Sequence, residues 1–454
     1  MRSKTRATLL VTVAITLGCT DDGTVRVHPE QTFQTMRAWE ATAWAGNLDR
    51  TPPSVRNEIL DSAAALGITR LRVPVKAGSE QPVDHWRRWR AGEIDYDGWR
   101  CVRYATVNDN DDPDVIDWDG FNFSELDNVV ETVVLPFRER LERRGEQARF
   151  NLNYVAFTDQ LCGGEYIHVD HLDEYAEFVL AAHVHLRDKY GLVPDSWEMI
   201  LEPDNTDEWT PAKLAEAMEI VGPVLEAHGF NARFVAPSTV SMRGGLDWVR
   251  AIVDRPDARR YLWEISYHRY HAATSEAARQ YGALATEVAP TAMLEWMPAD
   301  HNALYTDLAV AQVSSWQQFA LGDFGDDEEG KYFLIEEPTA GEFVVRPGSR
   351  TSYLRPFIRN VRPGAIRIGA EVVNGNHRAV AFTNPDGGRV VGVWHRRSGS
   401  VVLEGLEPGE YQVIRVNADG TREETSVLGG RAEFAVEGSG IMVVAERRSG
   451  PAPD

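Results

Sequence analysis

The sequence predicts an α/β protein: a (β/α)8 (TIM) barrel followed by a C-terminal antiparallel β-sandwich. Three observations carry this. From about residue 36 the chain alternates short apolar or β-branched runs with helix-patterned segments, as parallel βαβ units do. Eight such units can be counted before residue 361, the number that closes a barrel. After residue 362 the helical pattern gives way to short alternating strands broken by turn signals, which read as a sandwich.

The eight expected barrel strands are 36–44 (MRAWEATAW), 68–75 (ITRLRVPV), 148–157 (ARFNLNYVAF), 196–201 (SWEMIL), 232–240 (ARFVAPSTV), 261–270 (YLWEISYHRY), 291–297 (TAMLEWM) and 312–321 (QVSSWQQFAL). Between them lie helices with legible ends. Ile59, Ala63 and Leu66 share one face of a helix that stops at Gly67. Ser124 and Asp127 read as a capping box for a helix from about 125 to 144. Tyr175, Phe178, Val179, Ala182, Leu186 and Tyr190 follow the 3.6-residue period up to Gly191. Thr210-Pro211 is an N-cap followed by proline at the first helical position, and Gly222-Pro223 should kink the helix it opens.

An open doubly wound sheet is the structural alternative. It usually brings a glycine-rich first turn for a nucleotide, but no GxGxxG follows the first strand and no P-loop occurs. The region 76–123 is too long for a plain connection and contains NDNDDPDVIDWDG. It does not have EF-hand spacing, and a solvated acidic loop is the expectation. The segment 24–34 (TVRVHPEQTFQ) is expected to lend a strand to the sandwich. The resulting division is a lipoprotein-type signal peptide over 1–19, the barrel over 36–361, the sandwich over 24–35 and 362–447, and a disordered tail over 448–454.

Composition bounds the function. The chain has 454 residues and a formal net charge of −22, which argues against nucleic acid or an anionic membrane surface as partner. Thirteen Trp and fourteen Tyr supply flat faces of the kind that suit sugars. Arg2, Lys4 and Arg6 precede an apolar run over 7–18, too short for a stable bilayer span but right for a secretory signal. The run ends at Gly18-Cys19 and resembles a bacterial lipoprotein signal with Cys19 as the lipidated residue; ordinary cleavage nearby is the alternative. In either case export is expected. Cys101 and Cys162 would then remain, in a compartment that permits a disulfide between them.

In a (β/α)8 barrel the site lies at the C-terminal ends of the strands. Glu202 stands there on the fourth barrel strand and Glu295 on the seventh. Singly, each also fits a structural ion pair. Facing each other across the barrel mouth, they would form the two-carboxylate arrangement of glycosidic cleavage, one acid giving a proton and one carboxylate attacking the anomeric carbon.

At these residues the sequence resembles the clan A glycoside hydrolases, and within them glycoside hydrolase family 30. Glu202-Pro203 and Glu295 match the places of the clan's acid/base and nucleophile. FQTMRAWEATA (33–43) resembles the family's opening strand, and YLRPFIRNVRPGAIRIGA (353–370) the passage from barrel to sandwich. The resemblance implies that Arg72 lies near the nucleophile, that His268 and Tyr270 are the sixth-strand pair, and that Trp316 stacks on the sugar. It implies a retaining mechanism without metal or organic cofactor. Two departures stand out. Leu201 occupies the place of an asparagine that would bond a sugar 2-hydroxyl, and Trp39-Glu40 replaces glycines, with Glu40 a possible sugar contact. The expected partner is a carbohydrate substrate. Membrane attachment is expected only through an N-terminal lipid, and the protein should be a monomer. A catalytically weak or inactive carbohydrate-binding lipoprotein is the alternative function.

Overall fold

The computed structural model describes residues 21–206, 208–326 and 329–447. The expected signal peptide, Cys19 and the tail over 448–454 lie outside the described residues. Eight parallel strands close the barrel: β2 (Ala38–Ala45), β3 (Arg70–Lys76), β4 (Arg149–Val155), β5 (Ser196–Glu198), β6 (Phe234–Ser241), β7 (Leu262–His271), β8 (Thr291–Glu295) and β9 (Val313–Trp316). Closure is made by Ala38 against Ser315 and Trp39 against Trp316. Only Ser196–Glu198 of the expected strand 196–201 is regular. Beyond it the chain still alternates partners, with Met199 N bonded to Val235 O, Leu201 N to Tyr154 O and Glu202 N to Ser238 O.

The helix signals mostly place real ends. Pro53–Leu66 buries Ile59, Ala63 and Leu66 and stops at Gly67 with φ 105°, where a side chain would strike the Ile358 carbonyl. Leu172–Tyr190 ends at Gly191 with φ 60°. Thr210 caps Pro211–Ala227 by accepting from Lys213 N at 3.2 Å, and that helix continues through Pro223. The capping box at Ser124 does not form. The helix Ser124–Val129 passes through a π turn into Leu135–Arg143, the Ser124 hydroxyl turns to Asp84, and Asp127 bonds His185, Lys189 and Tyr190 instead. Those cationic and phenolic partners compete successfully with the helix's own N–H groups for the carboxylate.

An addition that the sequence pattern did not announce follows the barrel. β10 (Ala320–Asp323) extends along β2, β11 (Lys331–Thr339) runs parallel to β10, and β12 (Glu342–Pro347) returns antiparallel to β11.

The second domain is one nine-stranded sheet folded over its own apolar core. It comprises β1 (Gly23–Thr35), β13 (Ile366–Asn374), β14 (Arg378–Thr383), β15 (Arg389–His395), β16 (Gly399–Glu404), β17 (Gly409–Asn417), β18 (Gly420–Leu428), β19 (Arg431–Val436) and β20 (Gly440–Glu446). β1 lies antiparallel to β13 but parallel to β16, so the sandwich is mixed rather than wholly antiparallel. The parallel pair arises because β1 enters from the far end of the chain. Alternation along β14, β15, β17 and β20 serves both faces. Val391, Val413 and Val444 fill the sandwich, while Phe382, Trp394, Ile414 and Val443 pack toward the barrel. Phe357 of the helix Ser349–Asn360 stacks on Trp394 at this junction, with ring centroids 4.9 Å apart. None of the described helices is long and apolar enough to cross a membrane.

Candidate active site

Strand alternation decides what lines the barrel. On β3, Leu71 and Val73 face the helices, so Arg70 and Arg72 face the axis. Each arginine gathers carboxylates from across the barrel. In the lower tier Arg70 Nε donates to Glu40 at 2.8 Å and Nη1 to Glu264 at 2.7 Å, and Ser315 Oγ donates to Glu264 at 2.6 Å. In the upper tier Arg72 holds Glu198 through Nε at 2.8 Å and Nη2 at 2.6 Å, while Nη1 donates to Glu295 at 2.7 Å.

The upper tier is the floor of the site. Glu295, the last residue of β8, has both oxygens engaged: Oε2 by Arg72 and Oε1 by the Tyr270 hydroxyl at 3.0 Å. Burial and then the Glu295 charge raise the Tyr270 pKa, so the phenol remains a donor. Burial works against the Glu198 carboxylate, but the charge and hydrogen bonds of Arg72 outweigh it and hold its pKa below the usual value. Arg72 is correspondingly fixed as a cation, since its two carboxylates outweigh burial.

Glu202 reaches the same site from the end of β5. Its backbone is left-handed, φ 53° and ψ 57°. For a residue with a side chain this costs of order 1–3 kcal/mol and persists where the surroundings dictate it. Here Glu202 N bonds Ser238 O at 3.1 Å, and the Asp204 carboxylate accepts from Val240 N and Ser241 N at 2.7 and 3.0 Å, pinning the turn to β6. The Glu202 side chain meets His268 Nδ1 at 2.9 Å. His268 Nε2 faces Arg72 Nη2 at 3.4 Å. A guanidinium only donates, so Nε2 is the bare nitrogen and Nδ1–H donates to Glu202 Oε1. Glu202 Oε2 takes no part in that bond.

The result is a convergent trio. One carboxylate oxygen of Glu202, one of Glu295 and a ring nitrogen of His268 lie within 4.8 Å of one another. Both glutamates keep some solvent access, with 12% and 9% of their side chains exposed. The trio could in principle hold a metal ion. Arg72 stands against that, because a second cation would sit beside a guanidinium already paired to Glu295.

Eight of the residues singled out by sequence can be placed against this geometry. Arg72, His268, Tyr270, Glu202 and Glu295 converge. Trp316 does not: it has no exposed surface, donates its indole N–H to Asp307 at 3.0 Å and meets Trp39 edge-on. Its neighbour Ser315 points into the barrel to reach Glu264, so alternation sends Trp316 outward to the helix layer. A sugar-stacking role for Trp316 is therefore corrected. The same holds for Trp39, buried outside the strands with its indole N–H on Val361 O at 2.6 Å, and for Glu40, fully buried a tier below the site on Arg70. Burial raises the Glu40 pKa even against the Arg70 charge. Cys101 and Cys162 are joined in a disulfide that ties the 77–123 excursion to the segment after β4.

Sequence reasoning missed Glu198 and Asn153. Glu198 is a lone acid inside the apolar run SWEMIL, and a charge in a strand buried on both faces needs a partner. Asn153 shares the inner face of β4 with Asn151, which bonds Glu198 at 3.2 Å. Asn153 is buried, yet its Nδ2 has no partner among the described residues.

The same architecture recurs in solved glycosidase structures. The chain aligns with the catalytic domain of a GH30 xylanase C from Talaromyces cellulolyticus at a TM-score of 0.68 and 13% identity, covering 94% of this chain and 100% of that one. A conserved exported protein from Bacteroides fragilis aligns at 0.68 and 13%, covering 93% and 100%. An endo-β-1,6-glucanase aligns at 0.64 and 13%, covering 94% of each chain. The fold is GH30-like. No protein-family model matches the sequence, and no curated protein matches it, so the GH30-like identification rests on structure and applies to the fold.

Proposed function

We propose that the protein is a retaining β-glycoside hydrolase acting on a cell-wall or environmental polysaccharide or oligosaccharide. The observation that carries this reading is the approach of Glu202 and Glu295 within 4.8 Å at the barrel mouth. That is close to the ~5–5.5 Å spacing of carboxyl groups in retaining enzymes, whereas inverting enzymes leave room for a water. Glu295 attacks the anomeric carbon while Glu202 gives its proton to the leaving oxygen, so the glycosidic bond breaks as the glycosyl–Glu295 ester forms. Water then attacks the ester, Glu202 takes the water's proton, and Glu295 leaves as a carboxylate. Arg72 and Tyr270 donate to the two Glu295 oxygens and aim it. His268 orients Glu202. The unpartnered amide of Asn153 supplies a donor of the kind that Leu201 lacks. Export, as the N-terminal pattern suggests, fits the Cys101–Cys162 bond.

The alternative, a binding protein that does not turn over its sugar, is favoured by Leu201, which offers no side-chain hydrogen bond and packs against the core. A screen of aryl β-glycosides and plant or fungal polysaccharides separates the two. Glu295→Ala should lower turnover on the order of 10⁴-fold, as loss of an essential group does elsewhere. Glu202→Ala should retain much of the rate only on substrates whose leaving group needs no proton. No turnover by the wild type, with sugar binding unchanged in both variants, would establish the binding protein instead.

A further inference from the structure

A second group of carboxylates lies apart from the catalytic pair. Asp109, in the excursion after β3, and Glu174 and Glu177, on the helix Leu172–Tyr190, place one oxygen each within 4.8 Å of one another. Glu174 and Glu177 are 8% and 2% exposed. Asp109 Oδ1, Glu174 Oε2 and Glu177 Oε1 are buried and take no hydrogen bond among the described residues. A further carboxylate stands beside them: Glu80, 1% exposed, meets His168 Nε2 through Oε2 at 2.5 Å, and its Oε1 is buried without a partner among the described residues. Its charge acts on all three. Most of the acidic stretch is the solvated loop that its composition suggested, with Asp111, Asp112, Asp114, Asp117 and Asp119 exposed, but Asp109 turns inward.

Four carboxylates with unanswered buried oxygens require either shared protons or a counter-ion. We propose that Asp109, Glu174 and Glu177, with Glu80 beside them, form a Ca²⁺ site that fastens the 77–123 excursion to the barrel's helical layer. Hard oxygen ligands surround Ca²⁺ at ~2.3–2.6 Å, so ligands on opposite sides are about 5 Å apart, in keeping with the observed separation. Glu174 and Glu177 are three residues apart and share a helix face. The Asp109 carboxylate is aimed in advance, because Oδ2 already accepts from Asp117 N at 2.6 Å and Asn110 Nδ2 at 2.9 Å, leaving Oδ1 for a ligand. Gly120 lets the loop close over it, since a Cβ there would lie 2.2 Å from Asp109 Cβ. Burial first, and then Asp109 and Glu174, push the Glu177 carboxyl up to about 9.

The test uses the full chain, stripped with EDTA and returned to metal-free buffer near pH 7. CaCl₂, and separately MgCl₂, is titrated to about 5 mM, which spans the affinities of extracellular calcium modules. Calcium should raise Tm saturably and bind at one equivalent by calorimetry, with magnesium weaker. Glu177→Gln should abolish that response while melting no lower than the metal-free wild type. Glu295→Gln should keep it, which excludes the catalytic trio as the binding place and leaves the inference independent of the glycosidase reading. A wild-type Tm unmoved by calcium, or a Glu177→Gln protein that responds like wild type, would overturn the site; in the first case Glu177→Gln melting higher than wild type would identify shared protons as the answer.

Discussion

The two domains solve the same packing problem with opposite chemistry. The sandwich interior is aliphatic, with Val25, Val391, Val401, Leu403, Val413 and Val444 interdigitating between layers. The barrel axis is threaded by two arginines and four glutamates, all essentially buried. An apolar core tolerates exchange of one side chain for another of similar volume. A buried ion network does not, because each charge depends on its partner's position. The barrel accepts this fragility where rigidity is useful: the lower tier fixes strand register, and the upper tier presents Glu295 already oriented.

The contrast can be broken at three places, in order of expected effect. Arg72→Met should orphan Glu198 and Glu295 together. Turnover should fall on the order of 10³-fold or more, and unfolding in urea should show a loss of about 3–5 kcal/mol. A variant as stable as wild type would mean the upper tier is not a structural element. Leu403→Ala, in the sandwich, should lower stability by about 2–5 kcal/mol through cavity formation, yet leave kcat/KM unchanged well below its melting temperature. A matching loss of activity would show that the domains are energetically one. Smallest is Trp316→Phe, which removes the hydrogen bond to Asp307 and part of a buried ring. It should lower stability by about 1–3 kcal/mol and leave KM within about twofold. A large rise in KM would restore the stacking role that the buried position denies.

The same contrast explains what could be read from the sequence. All eight barrel strands were legible, because βαβ alternation is a long-period signal carried by whole segments. Glu202 and Glu295 were legible because a charge closing an apolar run is conspicuous. The lower tier was not. On strands covered on both faces nearly every residue is buried, so periodicity cannot say whether Ser315 or Trp316 looks inward. The larger ring drew attention, while the small hydroxyl was the one facing Glu264. Nor could Asp127 be told from a cap residue, since its competitors His185, Lys189 and Tyr190 come from a helix far along the chain. The hairpin β11–β12 was missed although YFLI (332–335) and FVV (343–345) are strand-like runs; only the exposed end of β11, 336–339, lacks apolar residues.

The placement of β1 has a temporal consequence. Its hydrogen-bond partners, β13 and β16, are made only after the entire barrel sequence has been synthesised. A chain emerging in order therefore carries an unsatisfied leading strand past every later segment until residues 366–404 arrive to clasp it. Shortened products ending before β13 would keep that edge open and should aggregate, whereas a permuted gene that begins near residue 366 and joins the old ends would bring the clasp together at the start.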